Sequence, residues 1–293
     1  MGKQASRTSP AERLRALLGQ EKLHVMPCCF DALSARLVER AGFQLSFMSG
    51  FAVSAARLAA PDTGLISFGE MLDQGRAICQ AVEIPVIGDA DTGYGNAMNV
   101  RRTLESYARA GFAGAMIEDQ VAPKRCGHTR GKQVVSRAEA RLRIRAAVDA
   151  REHGAEILVM ARTDARAGHG IEEALERCRA FADLGADILF LEAPQSEAEL
   201  TAFCEAFPSI PKMVNLVEDG FTPNLPHAQL AAMGFRIAAY PLTLLSSAAC
   251  AMQEALSALA AGEAAPRRLS FGELQALVGF PEYDEALRRY GEA

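Results

Sequence analysis

Eight short runs of apolar residues recur along the chain, at His24–Cys29, Leu45–Ser49, Ile84–Asp89, Gly114–Glu118, Ile157–Arg162, Asp187–Glu192, Pro211–Asn215 and Phe235–Tyr240. They are nearly continuous in apolar residues instead of alternating with polar ones, which is the pattern of parallel strands covered on both faces. Helical periodicity fills the intervals, clearest at Asp31–Ala41, Arg101–Ala110, Arg137–Glu152, Ile171–Leu184 and Glu197–Ala206. Several helices end at a glycine just before the next run, as in ARAGFAGAMIED and ADLGADILFLEA. Eight strand–helix alternations predict an α/β fold closed into a (β/α)8 TIM barrel. A doubly wound open sheet is the alternative. It has fewer strands as a rule and an early glycine-rich phosphate turn, and no GxGxxG follows the first run. After the eighth run, Leu242–Gly262 reads as one long helix, and a loop with Pro266 leads to a helical tail through Tyr290. The expected organisation is a barrel over residues 1–262 with a tail over 263–293 belonging to the same domain.

The length of 293 residues suits one barrel, and a hydrophobic share of 49% suffices for a large core. The net charge of −5 comes without any block of Lys and Arg, which excludes a general nucleic-acid binder but leaves small anionic substrates open. The seven cysteines, at 28, 29, 79, 126, 178, 204 and 250, form no CxxC pair and are odd in number, as in reduced intracellular proteins. The stretch up to Gln20 lacks the apolar core of a signal peptide, and no apolar run reaches the roughly 18 residues of a membrane span. A cytoplasmic protein without membrane or nucleic-acid partners is expected.

Barrel enzymes carry their chemistry at the C-terminal ends of the strands. Here those ends read Cys29, Ser49–Gly50, Asp89 with Asp91, Glu118–Asp119, Arg162, Glu192 and Asn215. Strands leaving into polar loops explain one or two such residues, but poorly explain an arginine and several carboxylates at once. In IPVIGDADTGYGN, Asp89 and Asp91 are expected to point the same way on an extended strand end. With Glu118 and Asp119 on the next strand they make an oxygen-rich set suited to Mg²⁺. A DxD followed by glycine is, by itself, commonly a surface turn.

The segment EDQVAPKRCGHTRGK, residues 118 to 132, surrounds one cysteine with Lys124, Arg125, His128, Arg130 and Lys132. Those cations are expected to depress the Cys126 thiol and make it a usable acid or base. Gly127 and Gly131 would permit a hinged lid. A buried structural cysteine is the bland alternative. Zinc held by Cys126 and His128 would need two further soft ligands that are not evident.

At these residues the chain resembles the isocitrate lyase / phosphoenolpyruvate mutase superfamily from about Leu18 to Tyr290. The similarity rests on KRCGH at 124–128, SGF at 49–51, GDADTGYGN at 88–96, IEDQ at 117–120, ARTDA at 161–165, FLEA at 190–193 and NLVEDGFTP at 215–223. KRCGH is the signature of the lyase branch. CGHTRGK, AFADLGAD, KMVN and LVGFPEY resemble the part of that branch holding 2,3-dimethylmalate lyase and the petal death protein. The resemblance implies Asp89, Asp91 and Glu118 as the Mg²⁺ set (Mn²⁺ being possible). It implies Cys126, Arg162, Glu118 and His128 as catalytic. It implies Ser49, Gly50, Phe51, Asp62, Gly127, Glu192, Asn215 and Pro241 as substrate-binding, and a homotetramer, a dimer of dimers, with C-terminal helices swapped between subunits.

The implied activity is retro-aldol cleavage of a small 2-hydroxy dicarboxylate to a 2-oxo acid and a monocarboxylate. Methylisocitrate lyases use two arginines beyond the eighth strand for a third carboxylate, and this chain has Ser246 and Phe271 there. Phe51 and Leu216 are expected at the mouth instead, favouring short alkyl groups. The competing readings are a 2-methylisocitrate lyase, an oxaloacetate hydrolase, a carboxyphosphonoenolpyruvate phosphonomutase and a non-catalytic metabolite-binding barrel. Oxaloacetate hydrolases carry Ser at the position of Pro241, and the phosphonate mutases lack the loop cysteine.

Overall fold

A computed structural model describes residues 8–129 and 131–291; Arg130 lies outside the described residues. Eight strands run β1 (His24–Cys29), β2 (Ser46–Met48), β3 (Val86–Asp89), β4 (Gly114–Glu118), β5 (Leu158–Thr163), β6 (Ile188–Leu191), β7 (Lys212–Asn215) and β8 (Ile237–Tyr240). They pair in sequence order, each parallel to its neighbours, and β8 pairs with β1 to close the barrel. All eight expected runs are therefore strands.

The helices outside the barrel are α1 (Pro10–Leu18), α2 (Ala32–Arg40), α3 (Gly50–Leu58), α4 (Phe68–Ala81), α5 (Ala97–Ala110), α6 (Arg137–Glu152), α7 (Arg166–Asp183), α8 (Glu197–Ala206) and α9 (His227–Met233). At all of these starts except α7 and α9 a side chain accepts from a free amide: Ser67 accepts from Glu70 N–H while Glu70 answers the Ser67 amide, and Asn96 accepts from Met98 and Asn99. Helix α7 begins before the expected Ile171 but is broken at Gly170, whose φ of 84° lies outside the helical region.

Strand parity sorts the side chains into two cores. Ala115, Ile117, Val159, Ala161, Leu189 and Leu191 face the helices. Met26, Phe47, Ile87, Met116, Met160, Phe190 and Met213 fill the barrel interior, and Leu14 and Leu18 of α1 pack into the same cluster. Leu14 lies beside Gly114 at the start of β4, so α1 seals the N-terminal end of the barrel. Because successive side chains alternate, the residue two places after each interior one also points inward. Those positions are Cys28, Ser49, Asp89, Glu118, Arg162, Glu192 and Asn215; the expected Cys29 faces the helices instead. The polar ring at the mouth is thus the next layer of the barrel interior.

The chain divides into two compact units, one through Leu244 and one from Leu245. The second contains α10 (Thr243–Ala260) apart from its first two residues, α11 (Phe271–Val278) and α12 (Phe280–Arg289). No residue of α10 is buried. Ser246 and Phe271 lie in this unit and both are exposed. Among the described residues, no helix is long and apolar enough to cross a membrane. All seven cysteines are free.

Candidate active site

A cavity opens at the C-terminal end of the barrel. Its floor and walls are apolar, made by Cys28, Phe47, Phe51, Met116, Phe190, Met213, Val217, Ala239, Pro241 and Leu242. The polar groups reaching it are Ser49, Asp62, Asp89, Lys124, Cys126, His128, Arg162 and Asn215. A mostly apolar concavity with a few convergent polar groups is the usual form of a small-molecule site. Leu216 is not at the mouth as expected. It is buried at 2% exposure in the outer core, while its neighbour Val217 lines the cavity. The parity that turns Asn215 inward turns Leu216 outward.

Asp89 ends β3 and is held from three sides. Its Oδ2 accepts from Gly50 N–H at 3.2 Å and its Oδ1 from Asp91 N–H at 3.0 Å. The Tyr107 hydroxyl donates to its carbonyl at 2.8 Å. Gly50 opens α3 directly after Ser49, whose Oγ accepts from Ala52 N–H at 3.3 Å. Asp91 does not extend the strand as expected. Its φ of 47° is left-handed, in a turn closed by Gly93 N–H on Ala90 O. An aspartate tolerates that conformation better than most residues, and the turn folds Asp91 back towards Asp89.

Burial pushes the Asp89 carboxyl up to about 6, with the nearby Asp91 charge adding to the effect. Burial likewise raises Glu118 well above the carboxylate range, although Arg162 works against it. Glu118 Oε2 lies 3.3 Å from Arg162 Nε, and Oε1 is buried without a hydrogen-bond partner. Lys124 answers part of this negative charge. Its Nζ lies 2.5 Å from Asp62 Oδ1 and 2.9 Å from Asp91 Oδ1. Lys124 was expected only as one of several loop cations, and the structure makes it the ammonium of the cavity. Asp89, Asp91 and Glu118 form a hard-oxygen set with an orphaned buried acceptor, and these donors fit a hard divalent cation. Among the described residues no three His, Cys, Asp or Glu side chains form a ready-made cage. Such a cation would keep several waters, as Mg²⁺ does. Asp119 is turned the other way. It accepts from Thr163 Oγ1 at 2.7 Å, Asp164 N–H at 2.9 Å and Arg177 Nη1 at 3.0 Å.

The loop after β4 lies over these groups. Burial raises the Cys126 thiol, with Asp62 and Glu192 adding to it and the His128 amide and Arg162 opposing. The expected depression is therefore corrected. Lys124 is spent on Asp62 and Asp91, Lys132 contacts Asp164 at 2.7 Å, and neither is left for the thiol. His128 Nε2 lies 2.9 Å from Glu192 Oε1, and its Nδ1 accepts from Phe221 N–H at 3.1 Å. Asn215 Nδ2 reaches both Glu192 oxygens at 3.4 Å. Burial works against the Glu192 charge, but Arg162 and His128 hold its carboxyl below the usual range. Gly127 is not simply a hinge. A Cβ there would meet Glu192 Oε1 at 2.4 Å and Arg162 Nη2 at 2.6 Å.

Arg162 sits beside Glu118 in the β4–β5 register and over the Phe190 ring. Its Nε and Nη2 grip Asp164 at 2.8 and 3.0 Å. Asp164, four places into ARTDA, was not singled out from the sequence. The available signal was its spacing of two from Arg162, which turns both side chains the same way.

A closed parallel barrel with buried carboxylates, an arginine, a lysine and a thiol gathered at its C-terminal mouth defines a (β/α)8-barrel enzyme. The chain belongs to the phosphoenolpyruvate phosphomutase family, whose model matches residues 14–260, and so to the isocitrate lyase / phosphoenolpyruvate mutase superfamily. It is 41% identical over 277 residues to a 2,3-dimethylmalate lyase from Eubacterium barkeri, covering 94% of this chain and 93% of that one. It is 42% identical over 259 residues to a probable 2-methylisocitrate lyase from Corynebacterium glutamicum, covering 87% and 83%. An oxaloacetate acetylhydrolase in complex with 3,3-difluorooxalacetate superposes with a TM-score of 0.94 at 37% identity, over 98% of both chains. A phosphonopyruvate hydrolase complexed with oxalate and Mg²⁺ superposes at 0.85 and 30% identity, over 96% of this chain and 99% of that one.

Proposed function

We propose that this enzyme is a Mg²⁺-dependent carbon–carbon lyase acting on 2,3-dimethylmalate or a related 2-alkylmalate. The observation that carries this reading is the Cys126 thiol on a cavity wall shared with Arg162 and Asp89, where burial raises its pKa. Cleavage next to a carboxylate leaves an electron pair on carbon, and a proton donor must meet it. A thiol that keeps its proton at neutral pH suits that task better than a thiolate does.

In this reading Asp89, Asp91 and Glu118 hold the metal. When bound, Mg²⁺ acts as a Lewis acid that favours ionisation of the substrate 2-hydroxyl. The C2–C3 bond then breaks, its electron pair staying with C3 beside the second carboxylate while C2 becomes the carbonyl of the 2-oxo acid. Cys126 delivers its proton to C3, the hydroxyl proton leaves to solvent, and solvent returns one proton to the thiolate before the next turnover, so the protons balance. Arg162 supplies positive charge where oxygen charge builds up. The Ser49 hydroxyl and the Phe51 amide at the start of α3 are placed to receive a carboxylate. Gly127 and His128, resting on Glu192, keep water from the reacting carbon.

Two features favour a dicarboxylate with short alkyl groups. Among the described lining residues the Lys and Arg are Lys124 and Arg162, and both already contact carboxylates. Phe51, Val217, Pro241 and Leu242 offer only apolar surface to further substituents. The test is incubation with 2,3-dimethylmalate, other 2-alkylmalates, 2-methylisocitrate, oxaloacetate and phosphonopyruvate in Mg²⁺, with products identified by mass. Pyruvate with propionate from 2,3-dimethylmalate is expected. Oxalate and acetate from oxaloacetate, with no cleavage of alkylmalates, would replace this reading by a hydrolase.

A further inference from the structure

Lys132, expected as one of the cations around the thiol, lies outside the lining of the cavity that holds Cys126. Its side chain is only 2% exposed. Its ammonium donates to the Gly127 carbonyl at 2.5 Å and to Asp164 Oδ1 at 2.7 Å. One group thus ties the residue next to the thiol to the end of β5. The same Asp164 oxygen accepts from Arg162 Nη2, and its partner oxygen from Arg162 Nε. The carboxylate is shared between a loop cation and the arginine of the cavity. Burial works against its charge, but Arg162 and Lys132 together hold it well below the usual range.

Gly127 makes the connection mechanical as well as electrostatic. Its backbone rests so close to Glu192 Oε1 and Arg162 Nη2 that no side chain fits. With the loop backbone in this place, Arg162 turns its Nε and Nη2 to Asp164, the shortest of its carboxylate contacts, while Glu118 and Glu192 lie at 3.3 and 3.7 Å. Lys132 binds both parts, the Gly127 carbonyl and Asp164. On the other side of Gly127, His128 is held by Glu192 and the Phe221 amide, which makes an independent attachment.

We infer that Lys132 and Asp164 are positioning residues that couple the seating of the Cys126 loop to the orientation of Arg162. This rests on the lyase reading for its consequence in turnover, but the coupling itself is measurable without any substrate. Loss of Lys132 removes two charge-assisted hydrogen bonds from the loop side and leaves the Asp164–Arg162 pair intact. The seated loop is then favoured less, while the barrel keeps its fold.

The experiment measures alkylation of Cys126 by iodoacetamide, resolved by peptide mass, in the substrate-free enzyme. The exposed Cys250 serves as the internal rate standard. Lys132→Met should raise the Cys126 rate about tenfold or more relative to Cys250, as expected for losing buried charged hydrogen bonds. Lys132→Gln should give an intermediate rise and guards against a misfolded methionine variant. Gly127→Ala, which forces the loop off Arg162 and Glu192, sets the rate of the unseated loop. An unchanged Cys126 rate in both Lys132 variants, with a raised rate in Gly127→Ala, overturns the coupling. With whichever substrate wild type cleaves, Lys132→Met should lower kcat and leave KM near its original value. If wild type cleaves none of the panel, the lyase reading fails while the alkylation result still decides the coupling.

Discussion

Gly50→Ala probes the carboxylate set through the smallest possible change. Gly50 is the first residue of α3, and its backbone lies outside the left-handed region, so alanine adds no backbone strain and suits a helix better. The added Cβ would lie 2.5 Å from Asp89 Oδ2 and 3.1 Å from its Cγ, where ordinary contact begins at 3.4 Å. The carboxylate must therefore retreat by about 1 Å. Asp89 cannot do so as a rigid body, since Tyr107 pins its carbonyl. It must rotate, giving up the Gly50 amide and straining the bond from the Asp91 amide. A displacement of about 1 Å in a catalytic arrangement costs on the order of a hundredfold in rate. We expect kcat/KM to fall about a hundredfold, Mg²⁺ to bind more weakly by calorimetry, and the melting temperature to stay within a few degrees of wild type. Wild-type kcat/KM with wild-type Mg²⁺ affinity would refute the argument that the Asp89 position matters.

Cys126→Ala should lower kcat by about a thousandfold or more, in the range of lost general-acid catalysis, while an oxalate-like inhibitor still binds in calorimetry; a wild-type kcat would leave the thiol a structural role only. Asp89 has a folded pKa near 6, above its ordinary value of 3.8. The folded protein therefore holds this proton between about pH 4 and 6. Stability from this group is highest below pH 4, falls as pH rises through that window, and is lower by about 3 kcal/mol once Asp89 is ionised. Mg²⁺ competes with the same proton and with any held by Glu118, so its affinity should rise at least tenfold per pH unit between about 5 and 6; affinity independent of pH in that window would remove Asp89 from the metal set. Met252, Leu256 and Leu259 on α10 and Phe271, Leu274 and Val278 on α11 are exposed in the single chain, so light scattering should report a homotetramer, and a monomer at micromolar concentration would contradict that.

The barrel was legible because parallel strands buried on both faces leave uninterrupted apolar runs, and because α2, α5 and α7 carry clear 3.6-residue patterns. Helix α3 escaped notice since it starts within two residues of β2, and SGF at 49–51 read as part of the substrate site. For α4 the signal was present in Ser67 and Glu70, a capping box in sequence. The polar ring at the mouth followed from strand ends alone. What could not be read was pairing: which carboxylate would take Lys124, that Asp164 would take both Arg162 and Lys132, and that Cys126 would thereby be left under the control of burial. Such pairings depend on loop paths across several strands, and spacing along the chain does not encode them.

The central claim, a lyase for a small alkylated 2-hydroxy dicarboxylate, is tested most directly by kcat/KM for 2,3-dimethylmalate against 2-methylisocitrate in one buffer with saturating Mg²⁺. A third carboxylate in this cavity would lose its water and meet apolar side chains, since Lys124 and Arg162 are already engaged. That penalty of several kcal/mol predicts a preference for dimethylmalate of roughly a thousandfold. A ratio near one, or a preference for methylisocitrate, would contradict the account.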